Sequence, residues 1–262
     1  MVLSLCRPLI RPIDGASATI RLPGSVSNGL LTALIAYWPG NEASGNLLDL
    51  HSNALTLTDT NTVTNNTGKV YATARQYTAA NSECHWRADH AALSTGDVDF
   101  TLSAWCYFDG VAGVQMVAGK DNETVREYRL DFAAVLGKFR FRAFDGTNAI
   151  GTVTSDTFGG PSIGTWYLVS GWHDSAANKV YIQVNNGTAD SANTTGAPAD
   201  TAAPYSIGGA YTVGGILSPF NGRIAPTMFW KSAAGAGGVL TAAQRTALYN
   251  SGAGLPYASF TV

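Results

Sequence analysis

The chain has 262 residues, a formal net charge of -2 and only 13% charged residues. This composition excludes the clustered basic face of a nucleic-acid-binding protein, and no apolar run reaches the roughly 20 residues needed to cross a bilayer. The length suits one large all-β domain or two small ones, and three cysteines without metal-ligand spacing predict neither a disulfide framework nor a metal site.

The first 28 residues differ from the rest of the chain. Their prolines interrupt any helix or central strand, and arginines are interspersed with apolar residues. We therefore predict an extended arm over residues 1–28 and one domain over residues 29–262. Short termini become ordered when a surface holds them, and that surface is the domain itself, a neighbouring copy or another protein. The predicted contact residues are Arg7, Pro8, Ile10, Arg11, Pro12, Arg21 and Pro23.

Short strands are predicted in sequence after the arm. Apolar residues alternate with polar ones, or form short apolar runs between turns, at 34–38, 70–77, 83–87, 100–107, 114–119, 128–132 and 138–143. In Phe139-Arg140-Phe141-Arg142 the phenylalanines should face one side of a sheet and the arginines the other. Asp145-Gly146 then predicts a turn.

A hairpin is predicted around the strands 164–174 and 179–184. A polar turn joins them, and Asn185-Asn186-Gly187 predicts a second tight turn. Trp166 and Trp172 are six residues apart, so they should share one face, which another sheet should cover. Further strands are expected at 205–207 and 222–230.

One helix is predicted near the end of the chain, over residues 240–250. Thr241 and Gln244 have the spacing of a capping box, and Gly252 is the expected stop. About a dozen strands with one late helix predict an all-β fold, a jelly-roll sandwich of two antiparallel sheets, rather than a βαβ fold.

Five motifs stand in order between residues 34 and 252. They are Leu34-Ile35-Ala36-Tyr37-Trp38-Pro39 with Asn41-Glu42-Ala43-Ser44-Gly45-Asn46, Phe100-Thr101-Leu102-Ser103-Ala104-Trp105, Gly164-Thr165-Trp166-Tyr167-Leu168-Val169 with Val180-Tyr181-Ile182, Phe220-Asn221-Gly222-Arg223-Ile224, and Leu240 to Asn250. This order resembles the laminin G-like branch of the concanavalin A-like lectin and glucanase superfamily. The resemblance implies a concanavalin A-like sandwich with Trp38, Trp105 and Trp166 in core positions.

The resemblance also implies a binding or scaffolding role. Such domains occur in extracellular glycan- or protein-binding proteins, in enzymes as accessory modules, and in virion proteins of tailed phages. Two departures bear on calcium, which relatives bind through carboxylates. Gly222-Arg223-Ile224-Ala225-Pro226-Thr227 lacks the acidic pair of Gly-x-Ile-Asp-Glu-Val, and Tyr77-Thr78-Ala79-Ala80 replaces an acidic turn. These losses argue against calcium, and no cofactor is expected.

No catalytic motif is predicted. Retaining glucanases need two carboxylates about 5 Å apart, and the sequence has no Glu-x-Asp-x-Glu. Asp97 and Asp99 are expected to be solvated in a turn before a strand. Glu127 and Asp131 share a face, but nearby arginines predict ordinary surface pairing. We therefore expect no enzyme activity, and a divergent glucanase that uses Glu127 or Asp131 is the third hypothesis for function.

The only histidine cluster contains His85, Asp89 and His90. Two histidines five residues apart lie on opposite faces of a strand, so the pattern predicts a loop with surface histidines rather than a metal site. Trp86, between them, is a candidate for stacking on a sugar ring. The candidate carbohydrate-binding residues, in loops, are Trp86, Asp121, Asn122 and Tyr211.

Two functional hypotheses precede the glucanase. The first is a non-catalytic structural or decoration protein, anchored through its arm to other subunits of a particle such as a phage capsid or tail, and oligomeric in that assembly. Three features support it: the domain type works outside cells, no signal peptide is expected, and the low-charge surface suits packing against other subunits. Release of particles by lysis would need no secretion signal. The alternative is a lectin module that recognises cell-surface or extracellular glycans. Neither involves nucleic acid or a membrane.

Overall fold

The computed structural model describes residues 27–262, so the predicted arm contacts Arg7, Pro8, Ile10, Arg11, Pro12, Arg21 and Pro23 lie outside the described residues. Within this range, one α-helix, α1 (Ala242–Tyr249), accompanies seventeen strands. They are β1 (Leu34–Trp38), β2 (Thr58–Thr60), β3 (Thr64–Thr67), β4 (Thr73–Tyr77), β5 (Cys84–Arg87), β6 (Asp99–Phe108), β7 (Gln115–Asp121), β8 (Arg126–Ala133), β9 (Lys138–Gly146), β10 (Ala149–Thr154), β11 (Trp166–Asp174), β12 (Lys179–Val184), β13 (Asp190–Asn193), β14 (Tyr205–Ile207), β15 (Ala210–Thr212), β16 (Gly215–Leu217) and β17 (Gly222–Ser232).

The strands form two antiparallel sheets and one separate hairpin. The first sheet has the order β13-β12-β11-β6-β17-β4-β3, with β1 also paired to β17, and the second has the order β10-β9-β8-β7-β14-β5-β2. Strands β15 and β16 pair only with each other among the described strands. The predicted sandwich of two antiparallel sheets with one short C-terminal helix is confirmed.

The main core lies between the two sheets and is rich in aromatic side chains. Phe139 and Phe141 of β9 are buried in it, and the alternating Arg140 and Arg142 point to the other face, as predicted. Trp38 of β1 stacks on Tyr205 of β14, with ring centroids 5.0 Å apart, and so joins the two sheets. Buried aromatic rings remove large apolar areas from water, and that burial holds the sandwich closed.

A second core covers the outer face of the first sheet. Trp166 and Trp172 share a face, as predicted, but it is this outer face, so the expectation that a second sheet covers it is wrong. The C-terminal segment covers it: Leu248 of α1 is buried in the second core, and the Arg245 guanidinium lies 4.4 Å from the Trp172 ring centroid. Tyr181 of β12 stacks on Trp172 with ring centroids 5.0 Å apart. A period of two cannot show which face of a strand points inward.

Helix α1 begins as the sequence predicts. The Gln244 amide donates to the Thr241 hydroxyl at 3.2 Å, and the Thr241 amide donates to the Gln244 side chain at 2.8 Å, so both bonds of the capping box are present. The expected stop at Gly252 is wrong, because Asn250 caps the helix in the left-handed conformation. Among residues 27–262, no helix combines the length and the apolar character needed to cross a membrane.

Candidate functional site

The outer face of the second sheet carries the candidate site. Directly paired residues on neighbouring strands share a face, so the strand register places six side chains or glycine positions in one row. From β9 to β2 they are Arg142, Arg129, Gly119, Ser206, Trp86 and Thr58. The row therefore has charged side chains at one end, an aromatic side chain near the other, and two small residues between them.

The hairpin of β15 and β16 lies over the small residues of this row. Tyr211 stacks on Trp86, with ring centroids 3.6 Å apart and an interplanar angle of 5°, and the Tyr211 amide lies 3.4 Å from the Ser206 hydroxyl. Gly208 lets the chain leave β14 and fold back, because its φ is +86° and a side chain there would overlap the Tyr77 ring. The Gly208-Gly209 pair thus positions Tyr211.

A cleft of about 250 Å³ opens beside the stacked rings, and we call it the aromatic cleft. It is lined by Trp86, Ala88, Asp89, Asn122, Ala202, Pro204, Tyr211, Thr212 and Val213. Three of the four predicted carbohydrate-binding residues, Trp86, Asn122 and Tyr211, therefore lie together. Trp86 lies in β5, within the strand predicted at 83–87, whereas Tyr211 belongs to β15 rather than to a loop.

The fourth predicted residue, Asp121, lies outside the aromatic cleft. Its side chain is fully buried, accepts a hydrogen bond from the Glu123 amide at 2.6 Å and lies 3.5 Å from Arg129. The neighbouring side chain of Asn122 accepts from the Val125 amide at 2.7 Å. Its oxygen is thus engaged in the loop, and its NH₂ group is the part that a ligand would use.

Asp89 adds a charge to the rim of the aromatic cleft. The fully buried ammonium of Lys120 donates to Asp89 at 2.6 Å, to the Ser94 hydroxyl at 2.7 Å and to the Thr201 carbonyl at 2.7 Å. Burial raises the pKa of Asp89, but the hydrogen bond and charge of Lys120 outweigh it, so this pKa lies below its usual value. Sequence reasoning considered Asp89 only within the histidine cluster and missed this role.

The inner face of β5 is fixed by His85. The expectation of a surface histidine is wrong here, because His85 is fully buried, whereas His90 is exposed. Nδ1 lies 2.9 Å from the Tyr77 hydroxyl and Nε2 lies 3.1 Å from the Gly45 carbonyl, so Nε2 carries the proton. Burial, aided by the charge of Arg75, lowers the pKa of His85 to about 3. The strand that presents Trp86 outward is therefore anchored inward by a neutral histidine.

The carboxylates considered for catalysis are not surface pairs, and that prediction is wrong. Glu127 is fully buried, pairs with Lys120 at 2.8 Å and accepts from the Thr95 hydroxyl at 2.9 Å. Asp131 is also fully buried and accepts two hydrogen bonds from Arg140, both at 2.9 Å. Both carboxylates have partners from other strands or loops, which spacing along β8 could not reveal.

Asp97 and Asp99 differ in exposure. Asp97 is about half exposed, as predicted. Asp99 is buried, which contradicts the expectation of a solvated turn: it accepts from the Ser175 hydroxyl at 2.8 Å and from the Gly235 amide at 2.7 Å. Asp99 thus joins two loops at one end of the first sheet.

The described cysteines are Cys84 and Cys106, and both are free and buried. Cys106 is a small core residue, as predicted. Burial raises the pKa of the Cys84 thiol to about 12, so it stays protonated near neutral pH. Across residues 27–262, no three His, Cys, Asp or Glu side chains are grouped in a way that could hold a metal ion.

Three solved structures show the same fold. Domain 4 of AbnA, a GH43 extracellular arabinanase from Geobacillus stearothermophilus solved in complex with arabinotriose, matches with a TM-score of 0.56 and 17% identity, over 82% of this chain and 97% of that chain. The binding domain of Paraclostridial Mosquitocidal Protein 1 gives 0.62 and 14%, over 84% and 52% of the two chains. The Trypanosoma rangeli sialidase gives 0.57 and 14%, over 86% and 34%. At these identities the similarity shows the fold alone.

Sequence comparison places the chain in a family. Among curated proteins, none matches this chain with significant sequence similarity. The model of the Laminin_G_3 family, described as the concanavalin A-like lectin/glucanases superfamily, matches residues 81–239, which is more than half of the chain and includes the aromatic cleft residues Trp86, Asn122 and Tyr211. The chain therefore belongs to the Laminin_G_3 family of the concanavalin A-like lectin/glucanases superfamily.

Proposed function

We propose that this protein is a non-catalytic carbohydrate-binding module that recognises a cell-surface or extracellular glycan in its aromatic cleft. The observation that carries the proposal is the parallel pair of Trp86 and Tyr211 rings, 3.6 Å apart, which forms one wall of the cleft. An aromatic surface packs against the apolar face of a sugar ring, and a few polar groups fix its orientation. Asn122, Asp89 and Thr212 supply the polar side chains at this cleft.

Rigidity of the cleft supports the proposal. Asp89 is held by the buried Lys120 ammonium, and Asn122 by its bond to the Val125 amide. Trp86 follows the buried His85 in β5, and Tyr211 is held against it by the short hairpin. Little side-chain freedom is left to lose when a ligand binds, which favours affinity.

A glycan panel followed by calorimetric titration tests the proposal. With the best glycan of the panel, Trp86→Ala and Tyr211→Ala should each weaken binding at least tenfold, about 1.4 kcal/mol. Tyr181→Ala is the matched control, because Tyr181 also stacks on a tryptophan, with an interplanar angle of 5°, but on the other sheet. Equal affinity of all variants, or equal losses in the control, would contradict the proposal.

We further propose that the module hydrolyses no glycan and needs no cofactor. Glu127 and Asp131 are both fully buried, whereas the two carboxylates of a glycosidase must reach the scissile bond. The late strand lacks the acidic pair with which relatives would bind calcium. Hydrolysis of β-glucan that Glu127→Gln abolishes in a folded variant would overturn the first statement. Loss of glycan affinity after removal of calcium by a chelator would overturn the second.

The second candidate is a decoration or structural subunit of a virion, working at the particle surface. One observation favours it: two loops at the end of the sandwich present large exposed apolar side chains. The loop between β8 and β9 contacts the loop between β10 and β11, because a side chain at Gly160 would clash with the Gly137 carbonyl. We call this surface the apolar end, defined as Val135, Leu136, Phe158 and Ile163. Large exposed apolar side chains on two touching loops favour a protein contact there.

Attachment to particles tests this second candidate. The full chain, added to virions that lack it, should bind and sediment with them, and Leu136→Asp should abolish sedimentation because it places a charge in the apolar end. Val213→Asp is the control, since Val213 is also exposed but lies at the aromatic cleft. Sedimentation that neither substitution affects would show that the apolar end is no contact surface. The two roles are compatible in one protein.

A further inference from the structure

A separate cleft on the same outer face is lined mainly by arginines, and we call it the arginine cleft. It measures about 210 Å³ and is lined by Val114, Glu123, Arg126, Arg129, Arg140, Arg142 and Ser218. Arg140 and Arg142 alternate along β9. Arg126 and Arg129 come from β8, where a register shift after Arg126 brings both to one face despite their odd spacing. Four guanidinium groups thus converge on one small space.

The buried carboxylate of Asp131 neutralises part of this charge. Its carboxylate lies 2.7 Å from Arg142 and 2.7 Å from Arg129, and binds Arg140 through both oxygens. Burial raises the pKa of Asp131, but the hydrogen bonds and charges of these arginines outweigh it, so the pKa lies below its usual value. Asp131 is therefore a permanent counter-charge shared by three guanidinium groups.

Two further carboxylates leave the arginine cleft positive. Asp121 lies 3.6 Å from Arg126, and Glu123 lies 3.1 Å from Arg129. Four guanidinium groups against three carboxylates leave one positive charge. Four guanidinium groups also carry about twenty N–H donors, whereas three carboxylates offer about twelve acceptor positions. Some of these positions are already filled, since Glu123 accepts from the Ser218 hydroxyl at 2.6 Å. Several arginine N–H groups are thus left to water or to a ligand.

Arg126 and Arg142 are held in place yet remain partly accessible, whereas the side chain of Arg129 is only 2% exposed. The guanidinium carbons of Arg126 and Arg142 lie 5.5 Å and 5.1 Å from the ring centroid of the buried Phe144. Their side chains are 25% and 14% exposed. Burial lowers the pKa of Arg142, and the charges of Arg140 and Arg129 lower it further against the opposing effect of Asp131. A bound anion would relieve this repulsion.

We propose that the arginine cleft binds one oxyanion substituent, a carboxylate or a sulfate, of an acidic glycan. Planar guanidinium groups bind such oxyanions through paired, charge-assisted hydrogen bonds. The chain as a whole carries a net charge of -2, so this positive charge is local and suits a single oxyanion rather than a nucleic acid backbone. That a glycan carries the oxyanion rests on the proposed function, whereas anion binding by these arginines does not.

The two clefts are neighbours. Asn122 lines the aromatic cleft and Glu123 lines the arginine cleft, so the loop between β7 and β8 separates them. Arg129 and Trp86 occupy one row on strands that are three strand spacings apart, about 14 Å. A saccharide with a neutral ring in the aromatic cleft and an acidic ring in the arginine cleft therefore needs only to cross this loop.

Titration with three related galactose oligomers tests the proposal: trigalacturonate, a 6-sulfated galactotriose and neutral galactotriose. At least one acidic oligomer should bind the full chain tenfold or more tightly than the neutral one, and the comparison of the two shows whether carboxylate or sulfate is preferred. Arg126→Gln should weaken the acidic ligand at least fivefold. Glu123→Gln should strengthen it severalfold, because it removes a competing carboxylate; a structural role alone would not improve binding.

Lys138→Gln is the charge-matched control, because Lys138 lies on β9, two residues before Arg140, and pairs with Asp156 away from the cleft. It should leave the affinity unchanged. Failure of both acidic oligomers to bind more tightly than galactotriose would overturn the proposal, as would equal losses in Arg126→Gln and Lys138→Gln. Trp86→Ala tests the two sites separately. If this variant loses affinity for galactotriose but still prefers an acidic oligomer, the arginine cleft binds independently. If it keeps its affinity for galactotriose, only the proposal for the aromatic cleft is contradicted.

Discussion

Replacement of His85 by glutamine should make the fold less sensitive to acid. His85 is fully buried between the Tyr77 hydroxyl and the Gly45 carbonyl. Burial, together with the charge of Arg75, lowers its pKa from 6.5 to about 3. The unfolded chain therefore binds a proton at this residue in a pH range where the folded protein does not. Stability is lost as pH falls from about 6.5 towards 3.

The size of the effect follows from the two pKa values. Each pH unit within this window costs about 1.4 kcal/mol of unfolding free energy. Relative to neutral pH, His85 alone should remove about 2 kcal/mol at pH 5 and about 3 kcal/mol at pH 4. This is a large part of the 5–15 kcal/mol that typically stabilises a domain.

Urea unfolding at pH 7, 6, 5 and 4 measures the effect. His85→Gln should be less stable than the wild-type protein at pH 7, since it loses packing, yet its stability should fall less steeply with acid. His90→Gln controls for the removal of a histidine as such, because His90 is exposed. A pH dependence in His85→Gln as steep as that of the wild-type protein would refute the reasoning.

Two further substitutions test the packing that positions the clefts. Asp131→Asn removes the carboxylate shared by three guanidinium groups and should cost about 3–5 kcal/mol in urea unfolding; a loss below about 1 kcal/mol would mean that the cluster is solvated. Gly171→Ala should cost about 1–3 kcal/mol, since its new methyl group would overlap the Phe141 ring of the facing sheet. Thermal unfolding shows the second effect, and an unchanged midpoint would contradict the close approach of the sheets.

The sequence predicted those strands and caps that depend only on residues close together in the chain. The limits of β1 and of β14 agree with the prediction, because β1 is a short apolar run and β14 alternates apolar and polar residues, and both stand beside turn residues. The capping box of α1 needs only Thr241 and Gln244. By contrast, β15 and β16 are three residues each, without alternation, and they form only because they pair with each other over the second sheet. Such strands have no signal in sequence.

The burial of charged side chains was the feature that the sequence predicted least well, because it depends on partners that are distant in sequence. Glu127 and Asp131 stand beside arginines in sequence, which suggested surface pairs. Glu127 pairs instead with Lys120 of β7, and Asp131 pairs with Arg129 of its own strand but also with Arg140 of β9, so both carboxylates are buried. Trp86 and Tyr211 were each recognised as candidates from their type, but their stacking depends on the turn at Gly208. The sequence therefore indicated single residues of the aromatic cleft but not that they lie together.

The position of both clefts follows from which surfaces the fold has already used. The inner faces of the two sheets form the main core, and the outer face of the first sheet is covered by α1 and the C-terminal segment. The outer face of the second sheet is the remaining broad surface of the sandwich, and the hairpin of β15 and β16 lies across it. Ser218, just after β16, bonds Glu123 of the loop between β7 and β8. The hairpin lines the aromatic cleft, Ser218 after it lines the arginine cleft, and the loop lines both. Changes in the length or sequence of these segments should therefore alter ligand choice while the cores stay intact.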